Sequence, residues 1–168
     1  MKVLKPEYID KTVIIMQISR GKVDPDRILK ELRSTCIITL VDSRAIFCDD
    51  QIINAVYYLL ELEEHQKWIK NVGLRLLALL VCERQIKDAL VRGNPEAEKL
   101  LLIGICNKDV SQEIAGKLRK MGVTILPTVT YGSEEEVADK LGLKVYDNLC
   151  SVILEKQAEL RIEIEKET

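Results

Sequence analysis

The run Lys99-Leu100-Leu101-Leu102-Ile103-Gly104-Ile105-Cys106 is apolar over the length of a strand, with no polar residue at every second position. A strand that is apolar on both sides must be covered on both faces. The run therefore predicts a central strand, and a central strand needs partners and layers around it. Thr12-Val13-Ile14-Ile15-Met16-Gln17-Ile18 is β-branched and apolar and reads as a strand, as does Cys36-Ile37-Ile38-Thr39-Leu40-Val41. Val123-Thr124-Ile125-Leu126 reads as a short strand.

Helices are read between the strands from their end signals. Asp24-Pro25-Asp26 looks like an N-cap, a proline at the first helical position and an acid in the first turn. The helix after it, with Ile28, Leu29 and Leu32 inward, ends near Ser34. Asp49-Asp50 opens a helix whose apolar spacing (Ile52, Ile53, Val56, Leu59, Leu60) continues to about Trp68. Leu74 to Val81 is ambiguous by period and is read as a strand, because charged residues and a new helix follow at once. That helix spans Arg84 to Val91, with Ile86, Ala89 and Leu90 inward and Gly93 as its cap. Asp109 or Ser111 starts a helix that Gly122 ends. Ser133 with Glu136 forms a capping-box start, and Gly142 closes that helix. A last helix covers Asp147 to Gln157. Leu160, Ile162 and Ile164 then alternate with Arg161, Glu163 and Glu165 at strand period. Hairpin signals of a sandwich are absent. The expectation is a mixed α/β (α+β) fold, one domain over residues 1–168 with a central mixed sheet covered by helices.

Composition narrows the function. The 168 residues suffice for one core without a staple. The hydrophobic fraction of 47% and charged fraction of 31% exclude a disordered chain. A formal net charge of −2 argues against wholesale polyanion binding but leaves room for a local basic patch. No apolar run reaches membrane-span length, and Lys5 and Pro6 interrupt any leader-like start. Cysteines at 36, 48, 82, 106 and 150 form no Cys-x-x-Cys clip, and four of them stand in apolar runs. They read as buried free thiols in a reducing cytosol.

The chemistry-bearing inventory is thin. His65 is the sole histidine and lies among Glu63, Glu64, Gln66 and Lys67, so it reads as a solvated surface residue and leaves no His/Cys metal cluster. Acids at 49–50 and 134–136 are explained as helix starts. There is no Gly-x-Gly-x-x-Gly, no Walker loop and no nucleophile elbow. Cys82 and Cys150 could act as nucleophiles, but neither has a histidine near it in sequence. No catalytic residue, metal site or cofactor is predicted, and a binding protein is favoured over an enzyme. Two features suggest binding. Arg75, Arg84, Lys87 and Arg92 surround one segment, and a helix start flanked by Arg84 and Lys87 suits a phosphate. The same cations also read as ordinary surface charge. The terminal alternation from Leu160 could pair within its own sheet or offer an apolar row to a partner.

Several stretches resemble one family. Asp42-Ser43-Arg44-Ala45-Ile46-Phe47 through Gln51-Ile52-Ile53-Asn54-Ala55-Val56 carries the resemblance. Gly73-Leu74-Arg75-Leu76-Leu77 and Cys82-Glu83-Arg84-Gln85-Ile86-Lys87-Asp88-Ala89-Leu90 continue it. The pattern resembles the kinase-binding small subunit of the KEOPS complex, best from Ile37 to Lys108 and more loosely from Leu149 to Leu160. The chain departs from it at Arg75, where many relatives would carry an acid, and at Cys82, where a small residue or glycine is usual. Val123–Gly142 has no counterpart.

The resemblance implies a non-catalytic subunit of the cytoplasmic machinery that installs threonylcarbamoyladenosine in tRNA. It implies binding and stimulation of the atypical protein kinase/ATPase of that complex and help in holding tRNA by its 3′ CCA end. On this basis Arg84 and Lys87 are assigned to tRNA, with Arg75 and Arg92 added by proximity. Val152, Ile153, Leu160, Ile162 and Ile164 are the candidate kinase-binding residues, with core packing as the other reading. No membrane partner is expected, and an isolated chain could self-associate. A small-molecule-sensing regulatory domain, or an enzyme whose carboxylates meet only in the fold, are the alternatives.

Overall fold

The computed structural model describes residues 1–62, 68–144 and 147–167. It has the mixed α/β architecture expected. The chain divides into two compact units, Met1–Ser43 with Pro95–Thr130 and Arg44–Asn94 with Tyr131–Thr168, so neither is a continuous stretch.

The first unit holds the sheet. Strands β1 (Lys2–Leu4), β2 (Thr12–Ser19), β3 (Ile37–Asp42) and β4 (Lys99–Cys106) lie in the order β1-β2-β4-β3, and β5 (Thr124–Ile125) pairs with the end of β2. Every ladder is antiparallel, so the sheet is not mixed in strand direction. β4 is central, running from Thr12↔Cys106 to Ser19↔Lys99 against β2 and from Ile37↔Ile105 to Asp42↔Leu100 against β3. It is buried at every position after Lys99, which is why its polar/apolar alternation is missing.

Helices α1 (Pro25–Leu32) and α5 (Ser111–Met121) supply Ile28, Leu32, Ile114, Ala115 and Leu118 to one core with Ile14, Met16, Ile18, Ile38, Leu40, Leu100 and Leu102. Their ends follow the residues. The Asp24 carboxylate accepts from the Asp26 N–H at 3.0 Å, and Gly122 adopts φ 87° to turn the chain out of α5.

The second unit is helical: α2 (Asp49–Glu61), α3 (Val72–Leu80), α4 (Ile86–Gly93), α6 (Glu134–Leu141) and α7 (Leu149–Lys166). Two strand expectations fail here. Leu74–Val81 belongs to helix α3, capped by the Asn71 side chain on the Leu74 N–H at 3.1 Å. Leu and Ala dominate it and are strong helix formers. Arg75 through Leu80 are all buried, so the helix is apolar almost all round and shows no 3.6 period.

The terminal alternation from Leu160 is likewise helical. α7 is continuous, and Leu149, Ile153, Gln157, Leu160 and Ile164 form its inward face while Ile162 is 51% exposed. The buried Gln157 interrupts the apolar stripe, which is why the periodic signal stops there in the sequence.

α2 ends at Glu61, short of Trp68. In α4 the inward residues are Ala89 and Gly93, whereas Ile86 and Leu90 are more than a third exposed. Gly93 lies inside the helix, where an added Cβ would meet the Leu77 side chain at 2.5 Å, and Asn94 takes the left-handed turn. The Ser133–Glu136 capping box and the Gly142 turn form as read.

The cysteines depart most from expectation. Cys36–Cys106 closes a disulfide within the first unit and Cys48–Cys150 one within the second. Only Cys82 is free. The partners are 70 and 102 residues apart, and pairing at that range has no local signal.

Candidate nucleic-acid interface

Within the second unit, the segment before α4 and its first turn form one wall of a concave site of about 320 Å³. The site is lined by Trp68, Ile69, Arg84, Gln85, Ile86, Lys87 and Glu167. Its volume is at the lower end of the range for small-ligand sites. The Trp68 indole N–H donates to the Arg84 carbonyl at 2.9 Å, which ties the ring to the segment carrying the cations. Arg84 is partly exposed and ion-paired to Glu167, whereas Lys87 is exposed.

The four predicted tRNA-binding residues thus separate. Arg84 and Lys87 share the concavity. Arg75 does not reach it: the residue is buried and its Nε–H donates to the Ile69 carbonyl. Its position in the buried run Arg75–Leu80 of α3 removes it from solvent, and its effect on the site is to hold the Ile69 backbone. Arg92 is outside the lining and pairs with Glu83 at 2.8 Å. Trp68 was missed because spacing placed it at the end of a helix, although its ring between flanking cations was visible in the sequence.

The proposed kinase-binding set also divides. Ile153, Leu160 and Ile164 are at most 5% exposed and belong to the core, a correction that follows from the helical period of α7. Val152 is half-buried, and Ile162 faces solvent. Ile86, Leu90 and Val91 add exposed apolar surface on α4. His65 lies outside the described residues.

Neither nucleophile candidate is suited to that role. Cys150 is bridged. Cys82 keeps only part of its surface, and burial pushes its thiol up to about 12, with the Arg92 charge opposing. Because the folded pKa lies above the unfolded one, the native state holds this proton more tightly. The stability it contributes is complete below about pH 9 and is lost as pH rises toward 12. The expected result is an alkaline limb that Cys82→Ala flattens by up to about 1.4 kcal/mol per pH unit, read from urea midpoints between pH 8.5 and 10.5. An unchanged limb would place this thiol in water.

Asp49 accepts from the Tyr131 hydroxyl, and burial followed by that hydrogen bond raises the tyrosine pKa. Among the described residues no group of three His, Cys, Asp or Glu side chains is placed to hold a metal ion, and no helix is long and apolar enough to cross a membrane. The chain matches no protein-family model and no curated protein sequence.

Proposed function

We propose that this chain is a non-catalytic small subunit of a KEOPS-type tRNA-modifying complex that holds the single-stranded 3′ CCA end of tRNA. The observation that carries the reading is the presence of Trp68, Arg84 and Lys87 around one concavity. An unstacked base needs an aromatic or planar surface, and its flanking phosphates need cations. A tail-holding protein needs only such a local patch, which is compatible with a net charge of −2. The segment Cys82–Leu90, which carries the family resemblance most strongly, includes the cationic wall of this site.

The atypical kinase/ATPase of the complex is the proposed protein partner. Val152 and Ile162 remain as contact candidates now that the other three residues are core. A cytoplasmic location is part of the same proposal. Bridged cysteines are compatible with it where intracellular proteins are disulfide-rich, as in hyperthermophiles.

The experiment is a titration of the chain with tRNA and with tRNA lacking CCA at fixed salt. Binding lost with the CCA supports the reading. Trp68→Ala should weaken binding roughly ten-fold, since a stacked base contributes about 1–3 kcal/mol. Arg84→Glu should weaken it and flatten its salt dependence. Equal affinity of wild type and both variants would end the proposal. Stabilisation by a small metabolite in place of RNA would support the sensing-domain alternative.

A further inference from the structure

Glu167 caps α7 and lines the same concavity as Trp68 and Lys87, with its carboxylate on the Arg84 guanidinium. We propose that Glu167 is an internal competitor: its carboxylate occupies the anion position of Arg84, and a nucleic-acid phosphate enters by displacing it. This rests on reading the concavity as a nucleic-acid site.

Two observations and one charge argument support the exchange. The side chains of the pair are 34% and 53% exposed, so it is an exposed ion pair that screening keeps weak and exchangeable. The buried face of α7 ends at Ile164, which is 2% exposed, while residues 165–167 are exposed and form the last turn, with Glu165 paired to Arg161 on the helix surface. Helix ends of this kind open at little cost. The exchange also conserves charge at the arginine, because one monoanionic oxygen group replaces another and the carboxylate passes to water. Glu167 therefore acts as a latch that disfavours weak anions and sets the affinity threshold of the site.

The test uses the full chain and a fluorescein-labelled single-stranded RNA ending in CCA-3′, followed by anisotropy at fixed salt. Removing an exposed pair of this kind should tighten binding by Glu167→Gln roughly two- to five-fold. Glu163→Gln, an exposed residue outside the concavity, carries the same charge change and should give less than half that gain. In an Arg84→Gln background, which itself binds more weakly, the gain from Glu167→Gln should fall to that of Glu163→Gln.

If Glu167→Gln binds no tighter than Glu163→Gln, or its gain over Glu163→Gln persists without Arg84, the latch is wrong. The nucleic-acid reading then still stands on the loss seen with Arg84→Gln. If Arg84→Gln binds as tightly as wild type, both fall.

Discussion

Reduction of the two disulfides is expected to remove most of the stability of this protein. Cys36–Cys106 and Cys48–Cys150 close loops of 70 and 102 residues in sequence separation. By chain entropy each then restricts the unfolded state by about 4–5 kcal/mol. Their sum is comparable with the whole stability of an ordinary domain, roughly 5–15 kcal/mol. With about 2–4 °C of Tm per kcal/mol at this size, adding dithiothreitol should lower Tm by about 20–30 °C. Because each bridge lies within one compact unit, Cys36→Ala with Cys106→Ala, and Cys48→Ala with Cys150→Ala, should each produce about half of the loss. Thiol counting supplies the control. The unfolded, unreduced chain should show one reactive thiol, Cys82, and the reduced chain five. Five thiols without reductant would show that the bridges do not form. An unchanged Tm after complete reduction would show that they carry no stability.

Gln51→Leu should cost roughly 3–5 kcal/mol, as much as a large core deletion. The C-terminal end of α3 is buried, and the last carbonyls of a helix have no partner within it. Here each finds one. The Leu77 carbonyl accepts from the Val81 N–H at 3.1 Å and the Ala78 carbonyl from the Glu83 N–H at 3.0 Å. The Leu79 carbonyl accepts from Gln157 Nε2 at 3.1 Å and the Leu80 carbonyl from Gln51 Nε2 at 2.9 Å.

Gln51 also donates to the Ala45 carbonyl at 3.0 Å and accepts from the Phe47 N–H at 2.8 Å. Leucine keeps the volume but strands these buried groups, at about 1–3 kcal/mol each, with partial relaxation keeping the total below the sum. Gln157→Leu should cost somewhat less, about 2–4 kcal/mol, as it serves the Leu79 and Gln51 carbonyls and accepts from Asn54 Nδ2. The double variant should fall short of additivity, because both amides cap one helix end. Urea denaturation of the three variants checks this. A loss below 1 kcal/mol for Gln51→Leu would mean that water can reach the helix end.

The same helix end accounts for an oddity of the sequence. Cys82 has φ 58°, the left-handed conformation that most often belongs to glycine just past a helix. The backbone at position 82 is thus one that favours glycine. The chain accepts cysteine there, and the thiol is withdrawn from water as a result. Residues 83–87 follow directly and lead into the first turn of α4, so the capped end of α3 sets where Arg84 and Lys87 emerge.

Legible in the residues alone were the features that local chemistry decides. They include the buried strand Lys99–Cys106, the Asp24-Pro25 and Ser133–Glu136 helix starts, and the glycine exits at 122 and 142. Backbone preference and capping groups act within a few residues, so their signals survive in sequence. The pairing of Arg84 with Lys87 beside a helix start was legible for the same reason.

What tertiary structure decided is what depends on partners far away in sequence. α3 is helical without an amphipathic period, because other elements of its unit cover it almost all round. α7 continues past Gln157 because a buried amide there caps another helix, so a polar residue stands where the period calls for an apolar one. Four cysteines found partners at separations of 70 and 102 residues, where only the fold brings the sulfurs together. Trp68 and Glu167 joined Arg84 in the same way, across 16 and 83 positions of chain (84 − 68 and 167 − 84). Spacing along a sequence reports which face a side chain occupies, and only packing selects what that face meets.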